Sequence, residues 1–354
     1  MNNTVTVIDP MQDGRWDRFV ESHAFGWLCH LSGWKRVLET SFPHLHGHYF
    51  ALVQDGEIRA ALPVYEVRSR LIGRRLVSIP FATLSDPLVA TSDDMAALLD
   101  AAIDLSKRIG IGAIEIRTLL APGFVLDERL GVSRLFKHHF LGLDNPLEEI
   151  SRKFHRSCVR QRIARAKAGG IEVTGGETER DLREFYRLYL MSRKRLGLPP
   201  QPYHFLQSLW QTFYPEKRIG LLMAKKDGQP VAGLMLFKFR ERVSAEFAAY
   251  DESFLNFSPL HALFWEAIQD ARREEYKIFD FGRTSPDNGS LMDFKNRWGT
   301  TVIDLPHYYY PRMLCGRDAA KYDSFSYRFV REICKTAPEP VRVGLGKFLY
   351  QHMS

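Results

Sequence analysis

One lysine in this sequence stands where a positioned cation can do chemistry. Lys295 follows a strand-like stretch, FDFG at 279–282, and a polar loop, and Phe294 and Trp298 flank it. Aromatic neighbours hold the aliphatic stem of a lysine and partly desolvate its ammonium, which turns a mobile cation into a positioned one. Such a cation stabilises a developing oxyanion. The structural alternative is a lysine that only covers aromatic surface.

Two further polar residues stand where this predicted strand ends. Asp280 precedes Gly282, which permits a sharp exit from the strand, and Arg283 follows it. Ligands of open α/β sheets bind at the carboxyl ends of strands, so we expect both side chains to meet a substrate. Tyr250, at the end of another predicted strand, is placed to donate a hydrogen bond. The predicted catalytic residues are therefore Lys295, Asp280 and Arg283, and Tyr250, Phe294 and Trp298 are predicted to bind substrate.

A helix start supplies a candidate anion site. Ser258-Pro259 opens the apolar-periodic run SPLHALFWEAIQDARREE. Serine at the N-cap and proline at the first helical position favour a helix start, and the free N–H groups there can face an anionic ligand. We therefore predict an anion-binding role for Ser258; a cap with no further role is the alternative.

A basic run, RKFHRSCVRQRIARAK at 152–167, carries seven Lys or Arg and no acid. Its apolar residues recur at helical spacing, which predicts one amphipathic helix with Arg152, Arg156 and Arg160 along a polar face. Cations at one-turn spacing repel one another, which favours an anionic partner. RNA phosphate, a nucleotide-linked or lipid-linked sugar diphosphate and a membrane surface all remain open, as does a solvated face.

Composition narrows the class of protein. The chain has 354 residues, 45% of them hydrophobic and 12% aromatic, which suits a folded protein of two domains. Its net charge of +7 favours anionic partners. Neither a secretory leader nor a run of about 18 apolar residues is visible, so we expect a cytoplasmic protein. The cysteines form no CxxC pair, which predicts reduced structural thiols, no disulfide framework and no metal: Cys29, Cys158, Cys315 and Cys334.

The chain repeats itself. Residues 41–62 align without a gap on residues 213–234, and Asp55-Gly56 falls on Asp227-Gly228. Each copy reads as a strand, a two-residue Asp-Gly turn and a second strand. Two helix-like runs precede each hairpin, and a strand, a helix and another strand follow it. This order predicts two α/β units on mixed sheets.

We place the first unit at residues 1–145 and the second, with the candidate active site, at 146–315. A basic helical tail follows at 316–354. The tail either packs on the second unit or lies on a membrane. The counterpart of the lysine segment in the first unit, IEIRTLLAPGF, has no Phe-Lys pair and is interpreted as a scaffold copy.

The element order resembles the GNAT acyltransferase fold, and its duplication resembles the FemAB family, whose members join amino acids to peptidoglycan precursors. The strings that carry the resemblance are VAGLMLFKF (231–239), SPLHALFW (258–265), FDFG (279–282), DFKNRWG (293–299) and RKRLGLPPQPY (193–203). Together they look like FemAB-related proteins found beside exopolysaccharide and protein-sorting loci. The resemblance implies two tandem GNAT-like (acyl-CoA N-acyltransferase-like) units with mixed central sheets.

The resemblance also implies roles for residues. Lys295 matches the lysine of the family's Phe-Lys motif, which stabilises the charge that develops as an amine attacks an activated ester. Arg193 and Tyr203 become acceptor-site residues, although the dipole at a helix end also explains the arginine. The glycine-rich pyrophosphate loop of coenzyme A-dependent relatives is missing, since the chain has DESFLNFSPL there.

The expected function is an N-acyltransferase or aminoacyltransferase that forms an amide on a cell-envelope or exopolysaccharide precursor. The co-substrate would be aminoacyl-tRNA or acyl-CoA, with no tightly bound cofactor. The acceptor would be an amine-bearing glycan or peptide, nucleotide-linked or lipid-linked, with peripheral contact at the inner face of the membrane. A non-catalytic adaptor and a phosphate- or RNA-binding protein are the alternatives. No general base is apparent in the sequence.

Overall fold

The computed structural model describes residues 4–69, 73–285, 287–314 and 325–350. Its strands are β1 Thr4–Ile8, β2 His46–Gln54, β3 Glu57–Ser69, β4 Gly73–Val77, β5 Ile114–Arg117, β6 Gly131–Gly142, β7 Ile171–Gly175, β8 Ile219–Lys226, β9 Gln229–Phe239, β10 Arg242–Tyr250, β11 Ile278–Thr284 and β12 Thr301–Tyr310.

The α-helices are α1 Trp16–Ser22, α2 Ser32–Ser41, α3 Ser92–Arg108, α4 Leu147–Arg152, α5 Gln161–Ala168, α6 Glu179–Leu196, α7 Tyr203–Phe213, α8 Pro259–Arg273, α9 Gly289–Asn296, α10 Phe325–Thr336 and α11 Glu339–Tyr350. A π-helical turn, Arg156–Arg160, lies between α4 and α5, and 3₁₀ turns cover Leu28–His30, Pro122–Phe124, Glu252–Phe257 and Arg312–Leu314. None of the described helices is long and apolar enough to cross a bilayer.

The described chain divides into two compact units. Of the described residues, unit 1 comprises 4–69, 73–136, 304–314 and 348–350, and unit 2 comprises 137–285, 287–303 and 325–347. The division falls inside β6 and β12 because residues 137–142 of β6 pair with β11, whereas residues 307–310 of β12 pair with β5. The boundary at 145/146 and the separate tail remain predictions.

Each unit has a mixed sheet, as the element order predicts. The strand order is β1-β2-β3-β4-β5-β12 in unit 1 and β6-β11-β10-β9-β8-β7 in unit 2. The pairs β4/β5 and β10/β11 are parallel, and the other strand pairs whose register is resolved within each unit are antiparallel. Each parallel pair is joined by a crossover helix, α3 in unit 1 and α8 in unit 2.

The two Asp-Gly turns form as the repeat predicts. The φ angles are +51° and +85° at Asp55 and Gly56, and +51° and +78° at Asp227 and Gly228. Two successive positive φ angles make a turn whose twist suits a two-residue hairpin, and aspartate and glycine tolerate that region. Local chemistry therefore fixes both hairpins.

Helices pack on each sheet to make a core. In unit 1, α3 buries its apolar face against β2 and β3. In unit 2, α8 packs on β8, β9 and β10 and brings Phe264 within 5.2 Å of the Phe281 ring on β11, measured between ring centroids. Burial of such a ring stabilises the fold by about 2 kcal/mol or more. The core thus anchors β11, the strand that carries the candidate site.

The described part of the tail is helical and packs on unit 2. A Cβ atom at Gly197, at the end of α6, would lie 2.9 Å from the backbone oxygen of Arg331 on α10. Arg342 of α11 donates from Nη1 to the Leu190 carbonyl oxygen at 3.1 Å. Gly197 has a φ of +65°, so its lack of a side chain serves both the helix end and this close approach.

Candidate functional site

Lys295 lies inside unit 2 and is held by strand β11. Its ammonium nitrogen donates hydrogen bonds to the carbonyl oxygens of Gly282 and Arg283, both at 2.9 Å. Only 5% of the residue is exposed. Helix α9 positions it: the Asn288 side chain caps the helix by accepting from the Leu291 N–H at 3.1 Å.

The aromatic neighbours act as anchors of this helix. Phe294 and Trp298 stand four residues apart, and both pack into the core of unit 2, where Trp298 is fully buried. The Phe294 ring lies 5.6 Å from that of Phe264, centroid to centroid. Their burial fixes the rotation of α9 and thereby directs Lys295 to β11. Their predicted substrate contact remains a prediction, and for Trp298 full burial favours a structural role.

A bulge in β11 prepares the two carbonyl groups. Asp280 pairs with Phe140 of β6 and Gly282 with His139, so that Phe281 has no partner in the ladder. Gly282 has a φ of +73°, a backbone conformation that is strained for residues with a Cβ atom. A bulge redirects the backbone and is frequent beside active sites. Glycine here lets two successive carbonyl oxygens converge on one ammonium.

The electrostatics leave this ammonium close to its titration point. Burial lowers the pKa of Lys295 to about 7, against the opposing attraction of Asp280 and Glu246. An ammonium has three N–H donors, and two are used by carbonyl groups. Among the described residues no third acceptor is hydrogen-bonded to it. One donor is therefore available for an oxygen atom of a ligand.

Asp280 holds several groups around Lys295 in place through hydrogen bonds. It is fully buried and accepts hydrogen bonds from His138 Nε2 at 2.9 Å, Arg242 Nη1 at 2.7 Å and the Gly282 N–H at 2.6 Å. Burial alone would raise the pKa of Asp280, but His138, Arg242 and this backbone N–H hold it well below its usual range. Its oxygens are occupied by protein groups, which favours a positioning role over the predicted substrate contact.

Glu246 is a site residue that sequence reasoning missed. On β10, Ala245 pairs with Leu236 and Phe247 with Met235, so Glu246 is the extra residue of a second bulge. Ser244 donates from its hydroxyl to Glu246 Oε1 at 2.6 Å. Burial raises the pKa of Glu246 to about 7, and the negative charge of Asp280 adds to the effect. In the sequence, the one hint of this role is that Glu246 is an acid within the largely apolar strand RVSAEFAAY.

The histidines of β6 complete the surroundings of Lys295. His138 contacts Asp280, and His139 pairs with Gly282 in the ladder. Burial lowers the pKa of His139 to about 4, and the positive charge of Lys295 contributes, so the imidazole is neutral at pH 7. The sequence places both histidines on a strand but gives no sign that they meet Asp280 and Lys295.

Unit 1 contains a related cluster, in which none of the described contacts involves a lysine. Glu115 on β5 accepts from Arg117 Nε at 2.8 Å, and His307 Nδ1 of β12 lies 3.5 Å from the same carboxyl. Burial raises the pKa of Glu115, but Arg117 and His307 outweigh it and bring the pKa to about 2. Both units thus contain a buried acid next to a histidine, whereas the glycine bulge and Lys295 belong to unit 2.

Four further predicted residues have these surroundings in unit 2. Arg283 is exposed; its carbonyl oxygen accepts from Lys295, and its positive charge helps to lower the pKa of Lys295. Arg193 donates from Nε and Nη2 to the Pro199 carbonyl oxygen at 3.0 and 2.8 Å, which closes the loop after α6. The Tyr203 hydroxyl lies 3.5 Å from Glu179. Tyr250 carries the Arg195 guanidinium 3.9 Å above its ring and lines a cavity of about 610 Å³.

The prediction that the Ser258 side chain caps helix α8 with a hydrogen bond is wrong. Helix α8 starts at Pro259 as predicted, but Ser258 has a φ of +56° and its side chain makes no cap bond. An N-cap residue that accepts from the first turn has an extended backbone, which Ser258 lacks. Its Oγ is buried and has no hydrogen-bond partner among the described residues. The anion-binding role of Ser258 remains a prediction.

The basic run is not the single helix that its spacing predicts. The α-helix α4 ends at Arg152, and His155 has an extended ψ of +127°, so Arg152 does not share a face with Arg156 and Arg160. The break occurs because Phe154 buries its ring 5.1 Å from that of Trp298, centroid to centroid, and the His155 N–H donates to the Arg297 carbonyl oxygen. Tertiary packing overrides the helical pattern.

The basic run still presents a cationic surface. Seven cations are exposed there, and in the part of the chain that the structure describes none of them forms an ion pair: Arg152, Lys153, Arg156, Arg160, Arg162, Arg165 and Lys167. We call these seven residues the basic surface. Helix α5 also packs on α8, so the surface adjoins the helix that Ser258 precedes.

Comparisons with known proteins point to one group. Residues 152–296 match the family model of the GNAT acetyltransferase domain. A stretch of 155 residues is 23% identical to the UDP-N-acetylmuramoylpentapeptide-lysine N(6)-alanyltransferase of Weissella viridescens. It covers 43% of this chain and 45% of that protein, so it spans less than half of the relative's length.

Solved structures extend the likeness over most of the chain. FemX superposes with a TM-score of 0.68 at 15% identity, covering 88% of this chain and 98% of that one. L-PGS from Bacillus licheniformis gives 0.58 at 16%, covering 92% and 98%. A tandem GNAT protein from the clavulanic acid pathway gives 0.53 at 10%, covering 87% and 98%. At such low sequence identity the likeness shows the fold alone. That fold is the predicted pair of GNAT-like units.

Proposed function

We propose that this chain, which is similar to FemAB-related proteins and matches the GNAT acetyltransferase domain at residues 152–296, is an acyltransferase that forms an amide on an amine of a cell-envelope precursor. The observation that carries the proposal is Lys295, a buried ammonium held by two carbonyl groups with one N–H left over. That arrangement suits a carbonyl oxygen that becomes negative during acyl transfer.

Lys295 acts on the tetrahedral intermediate. When an amine adds to the ester carbonyl, the oxygen gains charge, and a fixed N–H in a water-poor site stabilises that charge more than it stabilises the substrate. Removal of one such donor usually costs about 3–4 kcal/mol in the barrier. The Gly282 and Arg283 carbonyl groups hold the ammonium in place before the reaction, so no reorganisation is needed.

The donor is an activated acyl ester or thioester. Aminoacyl-tRNA fits the missing glycine-rich loop and the basic surface, and acyl-CoA is the other candidate. The acceptor is proposed to be a peptide or glycan amine on a peptidoglycan or exopolysaccharide precursor, in line with the peptide-lysine named in the Weissella relative. In this scheme Arg283, Tyr250, Arg193 and Tyr203 bind the acceptor.

The test is a transfer screen with the purified full chain. We expect one charged tRNA or acyl-CoA to raise the melting temperature, and one UDP-linked or lipid-linked precursor to gain the mass of the acyl group. Thermal shift and mass spectrometry give the two readouts. A ligand that binds without any product in all pairings would instead indicate a non-catalytic adaptor.

The basic surface gives a second prediction. Replacing Arg156 and Arg160 with alanine should weaken the binding of charged tRNA. The logarithm of the association constant falls linearly with the logarithm of the salt concentration, and this fall should become less steep by about 1 for each phosphate that the variant no longer binds. Fluorescence anisotropy at several salt concentrations measures both. Arg180→Ala, at another exposed arginine of unit 2, is the control and should leave the slope unchanged. Equal slopes for the wild type, the Arg156/Arg160 variant and the control would show that the basic surface does not bind the donor.

A further inference from the structure

We propose that Glu246 receives the ammonium of the acceptor and takes one of its protons, so that this site is built for amines and not for hydroxyl groups. This inference rests on the proposed function and adds the proton acceptor that neither the sequence nor the lysine site supplies. It concerns a half-buried carboxyl that the stabilisation of the oxyanion leaves unused.

The bulge in β10 is the first observation. Parallel pairing of β10 with β11 runs from Arg242↔Ile278 to Ser244↔Asp280. Glu246 comes two residues later, as the unpaired residue between Ala245 and Phe247. A ladder residue in its place would be fixed by strand pairing, whereas a bulged residue re-aims its side chain. The bulge thus presents a carboxyl just beyond the last pair of the strand that holds Lys295.

The charges around this carboxyl are the second observation. Lys295 on α9 and Asp280 on β11 are the charged groups whose fields act on it, and Arg242 binds Asp280. Among the described residues Glu246 forms no ion pair, and Ser244 is its hydrogen-bond donor. A half-buried carboxylate without a cation at contact distance loses hydration that no protein group fully replaces. An incoming ammonium would supply the missing countercharge.

The chemistry balances with this carboxyl and the lysine. An alkyl ammonium gives one proton to the Glu246 carboxylate, and the free amine attacks the ester carbon, forming a C–N bond. The carbonyl oxygen becomes an oxyanion beside Lys295. When the oxyanion collapses, the C–O bond breaks and the leaving oxygen takes the second proton from nitrogen. The products are an amide and an alcohol, and Glu246 releases its proton to water.

The pH profile follows from the same groups. Catalysis needs Glu246 as carboxylate and Lys295 as ammonium, and the pKa of each is about 7. The rate should therefore rise with pH on the acid side and fall on the alkaline side, a bell centred near neutrality.

The test replaces Glu246 with glutamine, which keeps an oxygen for the Ser244 hydroxyl. With the donor and acceptor found in the screen, we expect kcat/KM to fall about 10²- to 10⁴-fold and the acid limb to disappear. An acceptor analogue whose amine is made weakly basic by fluorine substitution arrives without the proton, so the variant should lose much less with it. Glu241→Gln, at an exposed glutamate directly before β10, is the matched control.

The outcomes separate the two proposals. A Glu246→Gln protein with wild-type kcat/KM and an intact acid limb would overturn this inference while the transferase stands. An equal loss with the basic and the weakly basic amine, together with a lower melting temperature, would assign Glu246 to structure and also overturn it. If the wild-type chain transfers nothing to any acceptor, the proposed function fails and this inference fails with it.

Discussion

Replacing Lys295 with methionine is expected to lower kcat about 10²- to 10³-fold, the usual effect of removing one oxyanion donor. Methionine keeps the length of the aliphatic stem but cannot donate to the developing oxyanion. The melting temperature should change little, because relief of a buried charge offsets the two carbonyl groups that lose their donor. Steady-state kinetics and thermal melts measure both effects.

The pH dependence of stability checks the same lysine. Its pKa is about 7 in the folded chain against 10.5 for the free side chain, so between these values the unfolded state binds more protons. Wild-type stability should therefore rise with pH across this window, and the variant should lack that rise. Lys277→Met, at an exposed lysine directly before β11, is the control. A Lys295→Met protein with full turnover would refute the oxyanion role.

Replacing Asp280 with asparagine is expected to cost about 3–5 kcal/mol of unfolding free energy, the usual result of removing one partner of a buried charge pair. His138 is fully buried and the Arg242 side chain is 12% exposed, so both would lose the anion that they surround. Urea denaturation measures the loss. Asp293→Asn, at an exposed aspartate of α9, should change the unfolding free energy by less than about 0.5 kcal/mol.

Acid should erase this difference. The pKa of Asp280 lies well below its ordinary value of 3.8, so its stabilisation is present above that value and is lost as pH falls through the folded pKa. The gap between wild type and variant should be full at pH 7 and narrow below pH 3.8. A constant gap at all pH values would show that the loss comes from packing and not from charge.

The two units share a contact between a buried acid and a histidine and differ in what surrounds it. Glu115 in unit 1 and Asp280 in unit 2 each hold a histidine from a strand that is distant in sequence. In unit 1 the arginine that follows, Arg117, turns inward and binds the acid. In unit 2 Gly282 adds a bulge, the next arginine faces solvent, and Lys295 binds the freed carbonyl groups. The glycine bulge and Lys295 thus distinguish the candidate active site from the cluster of unit 1.

The sequence by itself determined the duplication, the order of elements and both Asp-Gly hairpins. It also singled out Lys295, since the Phe-Lys pair and the nearby tryptophan are visible in seven letters, DFKNRWG. These features are local: turn chemistry, apolar periodicity and motif spacing act over a few residues and depend little on the rest of the chain.

Only the tertiary structure decided how these residues meet. His138 is separated from Asp280 by 142 positions, and the bulge that redirects Glu246 depends on the register of β10 against β9. The same holds for the break in the basic run, where the burial of Phe154 outweighs helical spacing. Register and burial are set by contacts between distant segments, whose free energy no short window of sequence contains.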